Sequence, residues 1–219
     1  MCRQRSEAMP SACCEPFHTL LVDLTRPQDA LLAAIHKDSR YEIRRAGKSD
    51  EVMAEHSHQP AELLEAFQAF YNAFARQKSL PRLDPASLER SCRAGHLVLS
   101  RIVREGEPIL WHAYYCALGR ARLLYSASLF RDLDSGQRNL IGRANRYLHW
   151  RDMLDFKAAG FHTYDLGGWS PPESGDAEKL RINQFKEEFG GQLAVEFNCV
   201  YPASLKGRIA YTAKRLLGR

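Results

Sequence analysis

The chain has 219 residues, 45% hydrophobic and 26% charged, which is enough to close one good core and too little for two of ordinary size. The net charge of +5 is scattered along the sequence instead of gathered in a basic block, so an anionic ligand can be steered in while specific nucleic-acid recognition is not expected. No apolar run approaches the roughly 20 residues of a membrane span. Residues 1–16 are polar and lack the apolar core of a secretion signal, so a cytoplasmic protein is expected.

In chain order, residues 1–16 read as a disordered lead-in, and FHTLLVDL at 17–24 reads as a strand. Thr25 ahead of Pro27 opens a helix expected over about 30–46. A short strand at 52–56 follows. Beyond Pro60, the residues Leu63, Leu64, Phe67, Phe70, Tyr71 and Phe74 repeat at three and four positions, which predicts an amphipathic helix whose aromatic stripe is core. Asp84-Pro85 starts a further helix that ends at Gly95. Three strands over 96–104, 108–118 and 120–129 are separated by Glu105-Gly106-Glu107 and by Gly119, the spacing of an antiparallel meander. A long helix is predicted over 138–159, a strand over 162–166, a helix over 176–189 and a last strand over 192–200. The basic stretch 203–219 places Leu205, Ile209, Ala213 and Leu216 on one face, as an interfacial amphipathic helix does. The order is that of an α+β protein built on a mixed sheet: one domain over 17–202, with an N-terminal strand-helix extension and a C-terminal helix.

Six cysteines, Cys2, Cys13, Cys14, Cys92, Cys116 and Cys199, form no C-x-x-C pair and have no histidines at ligand spacing, so no metal is expected. Cys92, Cys116 and Cys199 fall in apolar periodic stretches and read as packing residues, while Cys13 and Cys14 carry no assignment.

Two segments carry a family resemblance. GRANRYLHWRDMLDFKAAGFHTYDLGG at 142–168 resembles the FemAB pattern, in which a G-x-A-N helix leads through a glycine to a strand ending Tyr-Asp-Leu-Gly-Gly; NQFKEEFGG at 183–191 is similar to that family's Phe-Lys-x-x-Phe-Gly-Gly motif. RYEIRRAGK at 40–48 looks like its early Arg-rich segment. The resemblance implies a GNAT fold and an acyltransferase that moves an acyl or aminoacyl group, from acyl-CoA (acetyl-CoA first) or from aminoacyl-tRNA, onto an amine of a cell-envelope precursor such as peptidoglycan, or of an amino sugar in polysaccharide biosynthesis. FemAB enzymes resemble two tandem GNAT domains, and this chain has room for one. The competing reading is a non-catalytic GNAT-like module that binds a nucleotide or a partner.

Acyl transfer needs a donor held by its phosphates, a neutral amine and a stabilised oxyanion. The segment Arg138, Asn139, Gly142, Arg143, Ala144 and Asn145 is expected to open the long helix, where free N–H groups would cradle a pyrophosphate; it looks like the GNAT donor loop. Asp165, ahead of Gly167-Gly168, is the expected base for the incoming ammonium, with capping of its own loop as the alternative. Lys186, between Phe185 and Phe189, matches the family lysine, which implies a cation at the donor phosphate or the oxyanion. Arg40 and Arg44 share a helix face and suit a substrate phosphate, and Tyr164, Gly167, Gly168 and Phe185 are expected to line the acceptor site. Glu187 and Glu188 are second-choice bases, and His112 and His149 read as hydrogen-bonded structural histidines. Without a Ser-His-Asp or Cys-His set, direct attack is expected over a covalent intermediate.

Overall fold

The computed structural model describes residues 2–9, 12–128 and 134–201, together with 204, 206, 207, 209 and 213. The strands are β1 (Cys2–Arg5), β2 (Cys13–Asp23), β3 (Met53–Ser57), β4 (Leu97–Arg104), β5 (Glu107–Ala117), β6 (Arg120–Ser128), β7 (Thr163–Gly168) and β8 (Gln192–Val200). The helices are α1 (Gln28–Ala34), α2 (Lys37–Ser49), α3 (Leu64–Lys78), α4 (Pro85–Arg93), α5 (Ser135–Ala158) and α6 (Ala177–Glu187). The strands form one sheet in the order β1-β8-β2-β7-β6-β5-β4-β3, antiparallel except where β6 meets β7.

The sheet is covered on both faces, which explains the near-continuous apolar character of β4 and β5. Leu97, Leu99, Trp111 and Ala113 pack under Phe67, Tyr71 and Leu88 of α3 and α4. The alternate residues of β5 turn the other way: Tyr114 and Cys116 meet Trp150, Met153 and Phe156 of α5, and Leu110 meets Ile141 and Leu148. Burial among these groups pushes the Cys116 thiol up to about 12, in keeping with a packing role.

Three expectations need correction. The lead-in is ordered in part: β1 runs antiparallel to one edge of β8, while β2 begins at Cys13 and pairs with the other. That pairing sets Cys14 opposite Cys199, and the two form a disulfide across 185 residues, so Cys199 is a cross-link and not a free packing thiol. The helix expected over 30–46 is two helices, because Ile35 and His36 are extended; Arg40 Nη1 donates to the carbonyls of Ala33 and Ile35, satisfying the freed end of α1. The tight seat of this break explains Gly190: at φ +72°, a Cβ there would sit 2.6 Å from the carbonyl oxygen of Ala34. Most of the basic tail at 203–219 lies outside the described residues.

Candidate active site

The parallel pairing of β6 with β7 is short. Arg120, Arg122 and their partners Thr163 and Asp165 are in register, after which β6 continues through Leu123 to Ser128 and β7 through Leu166 to Gly168. Beyond that point the space between the strands is bounded by α5 and α6. A cleft of about 550 Å³ is lined by Leu123 and Ser126 of β6, Asn145 and His149 of α5, and Arg181, Phe185 and Lys186 of α6. A second cleft, of about 430 Å³, lies toward Phe17, His18, Gly168 and Trp169 and shares Ile182 and Lys186 with the first.

Lys186 stands at the junction, half-buried, and its Nζ donates to the carbonyl of Gly168 at 2.6 Å. Two further bonds staple α6 to the exit of β7: Asn183 Oδ1 accepts from the Ser170 amide at 3.0 Å and Asn183 Nδ2 donates to the Ser170 carbonyl at 2.5 Å. Gly167, at φ +76°, lets the chain turn there, and a Cβ on it would meet the Leu123 carbonyl at 3.0 Å. Burial lowers the Lys186 ammonium to about 8; Asp165 opposes that shift and Arg122 adds to it. A cation held in this way acts more strongly on a nearby developing charge than one in water.

Asp165 is elsewhere. It is fully buried, and both carboxylate oxygens are filled: Oδ1 by the Thr19 hydroxyl and, at 2.8 Å, the Gly167 amide; Oδ2 by Arg120 Nε and Nη2 at 3.0 and 2.6 Å. Arg120 also grips Glu196 of β8, at 2.7 Å from Nη1 and 3.0 Å from Nη2, so the carboxylate ties β7 to β2, β6 and β8 and lines neither of the two clefts. The loop-capping alternative describes it, and the expected base is corrected. Glu187 accepts from Trp169 Nε1, Glu188 accepts from Ser39 and Arg146, and neither lines either cleft.

The expected donor loop also needs correction. The helix begins before it: Asp134 caps α5 by accepting from the Gln137 amide at 2.8 Å, while Gln137 Oε1 accepts from the Asp134 amide. Arg138, Asn139, Gly142, Arg143, Ala144 and Asn145 therefore lie inside the helix, where intrahelical bonds consume their N–H groups. Arg143 is held bidentately by Asp50, at 2.6 and 3.0 Å, and a Cβ on Gly142 would meet only Arg146 Nη1, at 3.9 Å. Of that set Asn145 alone reaches the larger cleft. Arg40 is engaged at the end of α1, and Arg44 is exposed on α2 and lines neither cleft. Tyr164 is fully buried behind the cleft.

Behind the larger cleft runs a buried polar chain. His149 Nδ1 lies 2.6 Å from the Tyr164 hydroxyl, which lies 2.7 Å from the Tyr114 hydroxyl, which donates to Asp152 Oδ2 at 2.5 Å. Asp152 also bonds His112 Nδ1 at 2.8 Å and His56 Nε2 at 2.9 Å, and His112 Nε2 meets Asn145 at 2.9 Å. Burial opposes ionisation of Asp152, but the bonds from His112 and His56 outweigh it and hold the carboxyl below its usual range. The ligand-type atoms of His112, His149 and Asp152 lie within 4.8 Å of one another; both nitrogens of His112 and both oxygens of Asp152 are already engaged, so the cluster is satisfied by its own hydrogen bonds. His112 has the structural role expected of it. His149 was read in the same way, yet it borders the cleft; a signal for this was present in the spacing of Asn145, His149 and Asp152 at i, i+4 and i+7, one polar stripe on the core face of a helix.

No protein-family model and no curated protein sequence matches the chain. Among solved structures, FemX is similar with a TM-score of 0.67 at 16% identity, over 83% of this chain and 61% of that one. The C-terminal domain (DUF2156) assigned to a lysylphosphatidylglycerol synthetase of Agrobacterium fabrum is similar with a TM-score of 0.61 at 15% identity, over 94% of this chain and 67% of that one. L-PGS from Bacillus licheniformis follows at 0.55 and 14%, over 95% and 68%. The chain thus spans 61% of FemX, and the likeness is one of fold. The α+β architecture read from the element order, and the GNAT fold that the resemblance implied, are the fold observed.

Proposed function

We propose that the chain is an acyltransferase that moves an acyl or aminoacyl group from an activated carbonyl onto an amine by direct attack, with Lys186 as its electrostatic centre. The observation that carries this reading is a lysine lowered to about 8 by burial and standing where two clefts meet. One cleft holds the donor and the other the acceptor, and the reacting carbonyl lies between them beside Lys186. As the amine nitrogen attacks, the carbonyl oxygen gains negative charge that a preorganised ammonium in a half-buried site stabilises. Arg181 joins Lys186 in lining the larger cleft, while Lys78 there is paired with Glu178 at 2.9 Å; the two basic side chains suit a phosphate-bearing donor such as acyl-CoA or aminoacyl-tRNA.

The likeness of fold to FemX and to the lysylphosphatidylglycerol synthetase domain supports a cell-envelope acceptor. No helix among the described residues is long and apolar enough to cross a membrane; a cytoplasmic enzyme that meets the membrane through its basic tail fits a lipid-linked acceptor. Thermal-shift measurements across acetyl-CoA, longer acyl-CoA esters and aminoacyl-tRNA test the reading, because a native-state ligand at 100 times its Kd raises stability by about 2.7 kcal/mol. Amino sugars, peptidoglycan precursor peptides and phosphatidylglycerol vesicles then serve as acceptors in a transfer assay. A donor that binds without ever being transferred favours the non-catalytic module, and no shift with any donor refutes the proposal.

A further inference from the structure

We infer that His149 is the proton acceptor of the transfer, held by the buried Tyr164–Tyr114–Asp152 chain in the one tautomer that leaves Nε2 unprotonated at the larger cleft. The inference rests on the acyl-transfer reading for its substrate, but the tautomer follows from counting protons. Two oxygens at 2.5 Å need a proton between them, and with Asp152 ionised only the Tyr114 hydroxyl can supply it. That commits the single proton of Tyr114. The 2.7 Å contact between the two phenols must then be bridged by the proton of Tyr164. The 2.6 Å contact from Tyr164 to His149 then needs a third proton, and only His149 Nδ1 can provide it.

The remaining nitrogen, Nε2, has no hydrogen-bond partner among the described residues, and Nδ1 is turned inward while the ring lines the cleft. Burial, and then the neighbouring His112, push the imidazole well below its ordinary value, so it rests neutral with a lone pair on Nε2. The charged and titratable groups that face it are His112 from β5, Asp152 and Arg146 from α5, Tyr164 from β7 and Lys186 from α6. Asp152 favours the protonated ring, while His112, Lys186 and Arg146 oppose it, so a proton taken up at Nε2 is readily passed on.

In the step itself the amine nitrogen forms a bond to the donor carbonyl carbon, and the π pair moves to oxygen beside Lys186. The surplus N–H proton, acidified by the positive nitrogen, passes to His149 Nε2. The C=O then re-forms and expels the thiolate or alkoxide of the donor, which takes that proton from His149, so amine plus acyl ester or thioester gives amide plus thiol or alcohol and the imidazole is restored. Tyr114, Tyr164 and Asp152 are positioning residues, since they act only through the ring.

Long-range ¹H–¹⁵N correlation NMR of the full-length protein at pH 7, with the ring signals assigned by loss in His149→Gln, reads the tautomer without any substrate. The expected result is Nδ1–H with bare Nε2, the minor form of free histidine. Tyr114→Phe removes the acceptor of the Tyr164 proton, which can then turn to His149 Nδ1, so the ring should move to the Nε2–H form. Finding Nε2–H in the wild type overturns the inference whatever the protein catalyses. With acetyl-CoA or aminoacyl-tRNA as donor, His149→Gln and Tyr114→Phe should lower kcat by about a hundredfold with the donor KM unchanged, and the deficit should shrink as pH rises and hydroxide replaces the base. Full kcat in folded His149→Gln overturns this role alone and leaves the proposal for Lys186 standing. The expected tautomer in a protein that turns over no donor refutes the acyl-transfer reading, and this role with it.

Discussion

Replacing Lys186 with methionine separates its electrostatic role from any structural one, since the hydrocarbon stem is kept and the charge removed. Lowering the ammonium from an ordinary 10.5 to about 8 corresponds to about 3 kcal/mol of solvation that its contacts do not return. Lys186→Met abolishes that deficit and loses one hydrogen bond to the Gly168 carbonyl, a net contribution of about 1 kcal/mol. The variant should therefore unfold at the same urea concentration as the wild type or a higher one. Its transfer rate should fall by on the order of a hundredfold or more, the size of effect seen when one oxyanion stabiliser is removed. Arginine at this position should restore only part of the rate, because its planar fork does not occupy the site of a point charge. The pH dependence has a definite sign. A lysine near 8 is about nine-tenths charged at pH 7 and about one-tenth at pH 9, so a rate that needs the cation declines through pH 8, whereas an exposed lysine would hold it to about pH 10. Stability runs the other way: between about 8 and 10.5 the unfolded chain retains a proton that the folded chain has released, so the wild type gains stability across that window and Lys186→Met does not. Rate measurements from pH 6 to 10, beside urea titrations at pH 7 and 9.5, check both limbs. A folded Lys186→Met protein with full activity would refute the reasoning, as would one that is strongly destabilised.

Arg120→Met leaves the buried Asp165 and the almost fully covered Glu196 without their shared partner, and should cost about 3–5 kcal/mol in urea unfolding; a loss under 1 kcal/mol would mean that Thr19, Gly167 and Arg122 suffice to hold Asp165. Cys14→Ser should lower the unfolding free energy by about 2–4 kcal/mol under oxidising conditions, and reductant should lower the melting temperature of the wild type to that of the variant while leaving the variant unmoved. Gly142→Ala, in the interior of α5 with open space above it, should raise stability by about 0.5–1 kcal/mol and leave donor binding by thermal shift unchanged; weakened donor binding would restore Gly142 to the donor site.

The sequence by itself determined the order of the elements from β3 to β8, because strand and helix signals are local properties of the side-chain pattern: the apolar runs and turn glycines of β4 to β6 and the three-four repeat of α3 need no knowledge of their neighbours. It also marked Phe185, Lys186 and Gly168, which the fold brings to the two clefts: Phe185 to the larger, Gly168 to the smaller and Lys186 to both. Tertiary structure alone decided the roles of the charged groups. Asp165 and His149 sit in the same run of 142–168, and although the spacing of Asn145, His149 and Asp152 marks a polar stripe, it does not tell that Thr19 and Arg120 fill the oxygens of Asp165 while His149 keeps a bare nitrogen at a cleft. Cys14 and Cys199 meet only because β2 and β8 pair across 185 residues. The start of α5 differs for a related reason: Gly142 and Ala144 suit a donor-binding segment at a helix opening, which puts the start at Arg138, yet the cap that sets the helix lies upstream at Asp134 and depends on its reciprocal bond with Gln137. A side chain's chemistry depends on which partners desolvate it and fill its hydrogen bonds, and those partners arrive from strands and helices far away in sequence.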